Sequence, residues 1–337
     1  MFDKLIAKLK ENKKTIVFTE GTDARILSAA SRLLADDLMG VILLGVEADV
    51  KAAADKGGFC IDGARIIDPA TYAGMDEMVG KMVELRRGKM SAEDCRAALM
   101  KSNYFGTMLV KQGVADALLG GATYSTADTV RPALQLVKTK PGAHLVSSCV
   151  ILNRDFGEER LRTLCMADIA INIDYQDDVD KEGNVKFTAA QKLAEVGVEC
   201  ARCAKIFGID PKVAFLSFST KGSGKGGSVA LSAEATKIAK ELAPELNIDG
   251  EMQFDAAVAP EVGQLKFPGS PVAGQANTFI FPQIESGNIG YKIAQRLGGY
   301  DAYGPILLGL NAPINDLSRG CNADEVYHMA IITVALA

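Results

Sequence analysis

Apolar residues along this chain fall into two alternating patterns. Short solid runs read as buried strands, and longer stretches with apolar positions three or four residues apart read as amphipathic helices. Phe2, Leu5, Ile6 and Leu9 have helical spacing, and Thr15-Ile16-Val17-Phe18 is the first strand-like run. Asp23 can cap a helix over residues 24–34, where Ile26, Leu27, Ala30, Leu33 and Leu34 share one face. The same reading gives a strand at 41–44, a short helix at 48–56, and helices at 75–87 and 91–100, the latter capped by Ser91. A strand at 115–119 runs into Gly120-Gly121, and further strands are expected at 145–152 and 168–173. A long helical stretch over 187–207, a strand at 213–218 and a helix at 230–242 follow. The remainder reads as a short segment at 253–257, a strand at 278–281, a helix at 287–297, a strand at 305–308 and a closing helix at 323–336. Strands alternating with helices of this length mean βαβ units and mostly parallel sheets. The 337 residues suit two such domains. The Lys138-Thr139-Lys140-Pro141-Gly142 turn is the best candidate boundary between them.

Composition narrows the function classes. At 48% hydrophobic and 23% charged residues the chain is ordinary globular protein, neither disordered nor coiled coil. Its longest apolar runs, such as residues 38–46, fall well short of a membrane span, and the charged segment MFDKLIAKLKENKK lacks the apolar core of a secretory leader. A net charge of −5 argues against wholesale nucleic-acid binding but leaves room for a local basic pocket. With only His144 and His328, a multi-histidine metal centre is close to excluded. Seven scattered cysteines suit reduced thiols in a cytoplasmic protein better than a disulfide scaffold. Cys200-Ala201-Arg202-Cys203 lies in a helical pattern without a second ligand pair and reads as core thiols, not zinc.

In parallel sheets, ligands sit beyond the carboxyl ends of strands. Four loops in such positions carry chemistry. In Gly120-Gly121-Ala122-Thr123-Tyr124-Ser125-Thr126, the Ser125 and Thr126 hydroxyls stand at a helix start with Arg131 in its first turns, an arrangement suited to an anion or to a capped helix with a surface arginine. The loop from Ser217 to Ser228, with Ser219 and Lys221, is basic and glycine-rich. It lacks the P-loop spacing, and its fit to a dinucleotide fingerprint is formal, because the acids at the right spacing, Glu241 and Glu245, lie in or just after the following helix. It reads as a phosphate-friendly loop or as a solvated one. Glu285-Ser286-Gly287-Asn288-Ile289-Gly290-Tyr291 suits a helix start or a tight turn. Asn315-Asp316-Leu317-Ser318-Arg319-Gly320 is the sharpest: a serine, an arginine and, seven residues after the serine, the carboxylate of Glu325. Acyl transfer needs a hydroxyl donor, a cation and a base, although an acidic first helical turn is also common without any catalysis.

Several of these stretches together resemble the phosphate acetyltransferase (phosphotransacetylase) family within the phosphate acetyl/butyryltransferases. They are Tyr104-Phe105-Gly106-Thr107-Met108, Ser125-Thr126-Ala127-Asp128-Thr129-Val130-Arg131-Pro132-Ala133-Leu134-Gln135, Leu216-Ser217-Phe218-Ser219-Thr220-Lys221-Gly222-Ser223, Asp249-Gly250-Glu251-Met252-Gln253, Gly287-Asn288-Ile289-Gly290-Tyr291-Lys292, Tyr303-Gly304-Pro305-Ile306 and Asn315-Asp316-Leu317-Ser318-Arg319-Gly320. They run in family order from about residue 100 to the C-terminus; the first 100 residues carry weaker motifs.

The resemblance implies an α/β fold of two domains with mostly parallel sheets, like isocitrate and isopropylmalate dehydrogenases. The domains would be residues 1–143 with 311–337, and 144–310, with the active-site cleft between them. It implies the reversible reaction of acetyl-CoA and phosphate to acetyl phosphate and CoA by direct thiolate attack in a ternary complex. Coenzyme A would be a substrate, and no cofactor or metal is called for. The protein would be a cytoplasmic homodimer with no nucleic-acid or membrane partner, coupled metabolically to acetate kinase.

Residue by residue, Ser318 matches the serine that bonds the reacting acyl group, and Arg319 and Arg131 match arginines that hold phosphate or acetyl phosphate. Arg86 matches an arginine for the CoA phosphate, with Arg87 as its rival because the motif there is one residue short. The family's base is an aspartate seven residues after the serine; here Glu325 takes that place and Asp324 is the reserve. Ser125, Thr126, Ser219, Lys221, Asn288 and Tyr291 complete the substrate-binding set. Ile169 stands where the family often has a reactive cysteine, so thiol reagents should act differently here. The rival readings are a phosphate butyryltransferase or propionyl-preferring relative, a non-catalytic module like the one fused to malic enzyme, and a decarboxylating dehydrogenase. The last would need metal-binding aspartates, for which Asp174, Asp177, Asp178 and Asp180 are the nearest candidates.

Overall fold

The computed structural model describes residues 2–337. They divide into two compact units, one formed by the chain up to Gly142 together with Leu310–Ala337, the other by Ala143–Gly309. In the first unit the order is α1 (Phe2–Glu11), β1 (Thr15–Phe18), α2 (Ala24–Ala35), β2 (Gly40–Leu44), α3 (Glu47–Gly57), β3 (Arg65–Ile67), α4 (Met75–Arg86), α5 (Ala92–Leu99), α6 (Ser102–Lys111), β4 (Ala117–Gly120) and α7 (Thr126–Pro132), which runs on as a π-helical turn over Ala133–Val137. The second unit contains β5 (Ser147–Asn153), β6 (Thr163–Ala167), the short strands β7 (Asp178–Val179) and β8 (Val185–Phe187), α8 (Ala189–Ile206), β9 (Lys212–Leu216), α9 (Val229–Leu242) and β10 (Asn247–Met252). It continues through α10 (Phe254–Val258), α11 (Pro260–Lys266), β11 (Thr278–Ile280), α12 (Ile284–Arg296) and β12 (Asp301–Leu308). The chain then returns to the first unit with β13 (Ile314–Asp316) and α13 (Ala323–Ala335).

The first unit's sheet has the order β13-β4-β1-β2-β3, and every pairing in it is parallel. Its strands are solid apolar runs because helices cover them: Ile16, Val17, Phe18, Ile42 and Leu43 have no solvent exposure. Asp23 caps α2 as the sequence suggests, accepting from the Arg25 amide at 2.9 Å, and Ser91 and Asp94 close a capping box at α5. On one side of this sheet Phe105 and Met108 of α6 pack with Met78 and Met82 of α4 and Leu136 after α7. Side chains of this size contribute roughly 1.5–3 kcal/mol each when fully buried.

The second unit's sheet has the order β10-β9-β11-β6-β5-β12. It is parallel from β10 to β6, while β5 runs antiparallel to both β6 and β12. Helix α8 lies close against it. A side chain at Gly197 would meet the Phe215 ring of β9 at 2.4 Å, so glycine is needed there. Cys149, Cys165, Cys200 and Cys203 meet in this seam, with Cys165 and Cys200 sulfurs 3.2 Å apart and those of Cys149 and Cys203 3.7 Å apart. All four are buried, and burial holds the Cys200 thiol well above its ordinary value.

Three differences from the sequence reading have physical causes. Residues 168–173 are not a strand. The neighbouring strand is Thr163–Ala167, and the buried Asp168 carboxylate ends it by accepting from the amides of Ala170, Ile171 and Asn172. A side chain that collects local amides competes with a ladder. Strand β10 escaped notice because its middle reads Asp249-Gly250-Glu251, polar in sequence yet mostly buried in the sheet. β13 escaped because it is only three residues long.

Candidate active site

The strands β13, β4 and β1 lie side by side in register, with Asp316 beside Gly120 and Leu119 beside Phe18. Their carboxyl ends are therefore level, and the three loops that leave them emerge together. The Leu317 amide extends the ladder by donating to the Gly120 carbonyl at 2.7 Å. Beyond it the buried chain turns outward, and Ser318, Arg319 and Gly320 are exposed. The turn is closed by the Cys321 amide on the Ser318 carbonyl at 2.9 Å. Ser318 Oγ accepts the Gly320 amide at 3.2 Å, which leaves its own proton to give to a substrate oxygen. The Arg319 guanidinium makes no hydrogen bond among the described residues.

Three side chains that sequence reasoning missed assemble these loops. Arg25, just inside α2, lies in a fork against the Asp23 carboxylate, with Nε and Nη2 at 3.0 and 2.8 Å. The same guanidinium donates to the carbonyls of Ala122, Arg319 and Cys321 at 2.9, 2.8 and 3.2 Å. It thus ties the loops after β4 and β13 to the loop after β1. Five fixed donors make arginine suited to this; lysine has no such fork. Glu20 gathers the loop after β4 from below: its Oε1 accepts the Gly121 and Thr123 amides at 3.1 and 3.0 Å, and its Oε2 accepts Thr19 Oγ1 at 2.8 Å. Burial pushes the Glu20 carboxyl up, and these hydrogen bonds oppose the shift without cancelling it. Asp316, 2% exposed, accepts Thr126 Oγ1 and Thr129 Oγ1 at 2.6 Å each, and burial raises its carboxyl as well. The Tyr124 hydroxyl, 2.8 Å from Thr19 Oγ1, is pushed up by the same desolvation.

Gly121 sits between the two carboxylates with a φ of +97°, and a Cβ there would lie 2.2 Å from Asp316 Oδ1. That close approach explains the second glycine of the pair, and a Cβ on the first, Gly120, would lie 2.1 Å from Thr19 Oγ1. One signal was available for Glu20 and Arg25: Thr19-Glu20-Gly21-Thr22-Asp23 is a polar loop directly after an apolar strand, the same context that flagged the other loops. Asp316 stood inside a quoted motif but had no visible role, because its partners are 187 and 190 positions away.

The structure places the sequence-derived candidates as follows. Ser318, Arg319, Glu325, Ser125, Thr126 and Arg131 all belong to these loops or the helices they feed. Glu325 stands in the first turn of α13, its Oε2 accepting the Asn322 amide at 3.0 Å while Asn322 Oδ1 accepts the Glu325 amide at 2.9 Å. Asp324 is instead paired with Arg32 on the surface. The Cys321 thiol, pushed up by burial, feels the charges of Arg25, Glu325, Asp23 and Glu20, which marks how these groups converge. Ser125 and Thr126 spend their hydroxyl protons on Asp128 and Asp316, so for an anion beside α7 the exposed Arg131 is the available charge. Arg86 closes α4 with its Nε buried and without a hydrogen-bond partner, and its charge acts on Cys95 of α5. Arg87 takes the left-handed position that ends the helix.

The other four candidates make their contacts within the second unit. Ser219 is buried, its hydroxyl donating to Glu251 at 2.8 Å, and Glu251 also takes the Gly222 amide at 2.7 Å. That glycine-rich loop is thus already satisfied by a carboxylate of the chain. Lys221 lies over the Phe267 ring at 4.9 Å. Asn288 donates to the Ile169 carbonyl at 2.9 Å and accepts from Lys292 at 2.8 Å. Tyr291 is packed against the core, and burial raises its hydroxyl. His144 pairs with Glu195, and Asp178 pairs with Lys192. No cluster of three or more metal-ligating side chains occurs among the described residues, and no helix there is long and apolar enough to cross a membrane.

A family model described as Phosphate acetyl/butaryl transferase matches residues 1–334. The chain belongs to that family. It is an enzyme, and its class is transferase. A phosphate acetyltransferase from Bacillus subtilis is 50% identical over all of this chain and 99% of its own length. Among solved structures, a phosphotransacetylase from Streptococcus pyogenes is 51% identical, covers 99% of this chain and 97% of its own, and superposes with a TM-score of 0.91. A phosphotransacetylase from Staphylococcus aureus is 47% identical over the same shares, with a TM-score of 0.88. Family membership agrees with the fold of the two parallel-rich sheets and with the resemblance carried by the motifs.

Proposed function

We propose that this enzyme moves an acetyl group between coenzyme A and inorganic phosphate in one step. The observation that carries the reading is the exposed Ser318-Arg319 turn, held by Arg25 through two of its carbonyls, with Glu325 in the helix turn that follows. Relatives about half identical across the whole chain, each named for acetyl transfer to or from phosphate, support acetyl as the acyl group.

In this account Glu325 takes the proton from the CoA thiol. One of its oxygens is engaged by Asn322, and the other makes no hydrogen bond among the described residues. The thiolate then attacks the carbonyl carbon of acetyl phosphate; the C–S bond forms and the C–O bond to phosphate breaks. Ser318 donates to the carbonyl oxygen as charge develops, and Arg319 faces the leaving phosphate, where preorganised donors do most in a desolvated site. Arg131 orients the phosphate from α7, and a planar guanidinium suits paired phosphate oxygens. Holding both substrates at once supplies much of the acceleration. Arg86, or Arg87 beside it, meets the CoA phosphate, Lys221, Asn288 and Tyr291 shape substrate contacts, and Ser125, Thr126 and Ser219 act through the carboxylates they bond.

The same reading makes the enzyme a cytoplasmic homodimer working beside acetate kinase without a metal cofactor. Among the described residues, eleven of the fourteen large apolar side chains that are prominently exposed, including Ile289 and Ile293 of α12 and Leu297 just after it, lie in the second unit, which supports association through that unit. The test of the mechanism is rapid acid quench with acetyl-labelled acetyl phosphate. Direct transfer predicts label only in substrate and acetyl-CoA. A stable acetyl-enzyme formed at a competent rate overturns it.

A further inference from the structure

We infer that Asp316 is a positioning residue for this reaction, tying the strand that ends in the Ser318-Arg319 turn to the helix that carries Arg131. The inference rests on the acetyl-transfer reading above. Asp316 is the last residue of β13, two positions before Ser318. Its two oxygens accept from Thr126 and Thr129, both on α7 and 2.6 Å away. Gly121 lacks a side chain where Oδ1 lies, so the carboxylate is seated against the backbone of the loop after β4 as well. One buried group therefore fixes the spacing of three segments.

Its chemistry suits positioning better than stability. The titratable groups that face it are a charged one, Arg319 from the turn after β13, and a neutral one, the Tyr124 hydroxyl from the loop after β4. Among the described residues no cation bonds it directly, and burial raises its carboxyl, so its ionised form is held at a desolvation cost. An ionised carboxylate nevertheless offers something that neutral groups do not. It accepts from both threonine hydroxyls at once and donates nothing, so both protons point inward and both rotamers are set. An asparagine offers one acceptor and one donor, and one threonine must then reverse its bond. The first turns of α7 would shift relative to Ser318, and Arg131 with them.

The test uses the full chain and three variants: Asp316→Asn, the pair Thr126→Val with Thr129→Val, and all three together. Initial rates are measured against phosphate and against acetyl-CoA, alongside thermal melts at neutral pH. A misplacement on the ångström scale predicts kcat/KM for phosphate about 10- to 100-fold lower in Asp316→Asn. The KM for acetyl-CoA should stay within about two-fold, because the bonds removed lie on the phosphate-side helix. The melting temperature should hold or rise, because an ill-solvated charge has been removed. The threonine pair should reproduce the phosphate defect, and the triple variant should add little to either, because one linkage has been cut twice. Wild-type kinetics in Asp316→Asn, additive losses, or a lowered melting temperature with all kinetic parameters falling together would each overturn the inference. If the wild-type protein releases no CoA from any acyl-CoA, the acetyl-transfer reading fails first and the inference falls with it. An active wild type beside unaffected variants sinks the inference alone.

Discussion

Replacing Glu325 by glutamine separates two tasks that one side chain performs. Glu325 closes a capping box at α13, its Oε2 taking the Asn322 amide at 3.0 Å, and it is the proposed base. A glutamine oxygen accepts the same amide, so the cap survives the substitution. What the helix loses is one negative charge in its first turn, worth about 0.3–1 kcal/mol. For a chain of 337 residues that is a melting shift of roughly 0.5–1.5 °C. Loss of a general base costs far more in rate, about 10²- to 10⁴-fold, or about 3–5 kcal/mol of barrier. The assay is acetyl-CoA formation from acetyl phosphate and CoA at saturation, with a thermal melt of the same preparation. The expected result is a near-native melt, CoA still bound, and a rate lower by at least two orders of magnitude. A variant that keeps its rate refutes the reasoning and moves the base to Asp324 or solvent. A large fall in melting temperature would show that the cap, not the base, was lost. Asp324→Asn is the control: it breaks an exposed pair with Arg32 and should leave the rate within about two-fold.

Much of this site's frame was legible in the sequence, because local rules govern it. Asp23 and Ser91 cap their helices as their positions suggest, and the strand Thr15–Phe18 has the bounds its apolar run predicts. The Ser318-Arg319 turn was visible because unusual residue types cluster there. What escaped was set by contacts far apart in sequence. Arg25 earns its place through carbonyls 294 and 296 positions away, and no periodicity encodes that. The segment 168–173 looked like a strand because its apolar residues alternate; the ending is imposed by Asp168, whose amide-collecting role shows only once Ser148 and Asn172 surround it. The glycine-rich loop at Ser219 looked open to phosphate, yet Glu251 fills that role from 32 positions away.

Other substitutions probe the same frame. Gly121→Ala places a Cβ 2.2 Å from Asp316 Oδ1 at a positive φ, and should cost on the order of 1–3 kcal/mol in a denaturant melt together with activity; a neutral outcome would mean that the close approach is relaxed in solution. Arg25→Lys keeps the charge but loses the fork that reaches Arg319 and Cys321, so stability should drop by about 1.5–3 kcal/mol and kcat should fall, and a silent variant would contradict its role. Burial raises the Glu20 carboxyl, so its contribution is fully present at acid pH and is lost as pH rises through its folded value. The stability of Glu20→Gln relative to wild type should therefore be higher at pH 7 than at pH 4 to 5, within about the range of ordinary carboxylates, and the opposite trend would refute the assignment. Cys60 is the one exposed thiol among seven, so alkylation of native protein should add a single label without inhibition, and all seven should react after unfolding.

The most direct measurement of the central claim is phosphate-dependent CoA release by the purified protein, read with a thiol reagent, from acetyl-, propionyl- and butyryl-CoA, with a chelator in a parallel series. The account predicts fast release that is strongest with acetyl-CoA and indifferent to the chelator. Release strongest with butyryl-CoA would contradict the acyl assignment, and no release from any of the three would contradict the enzyme that Ser318, Arg319 and Glu325 are proposed to form.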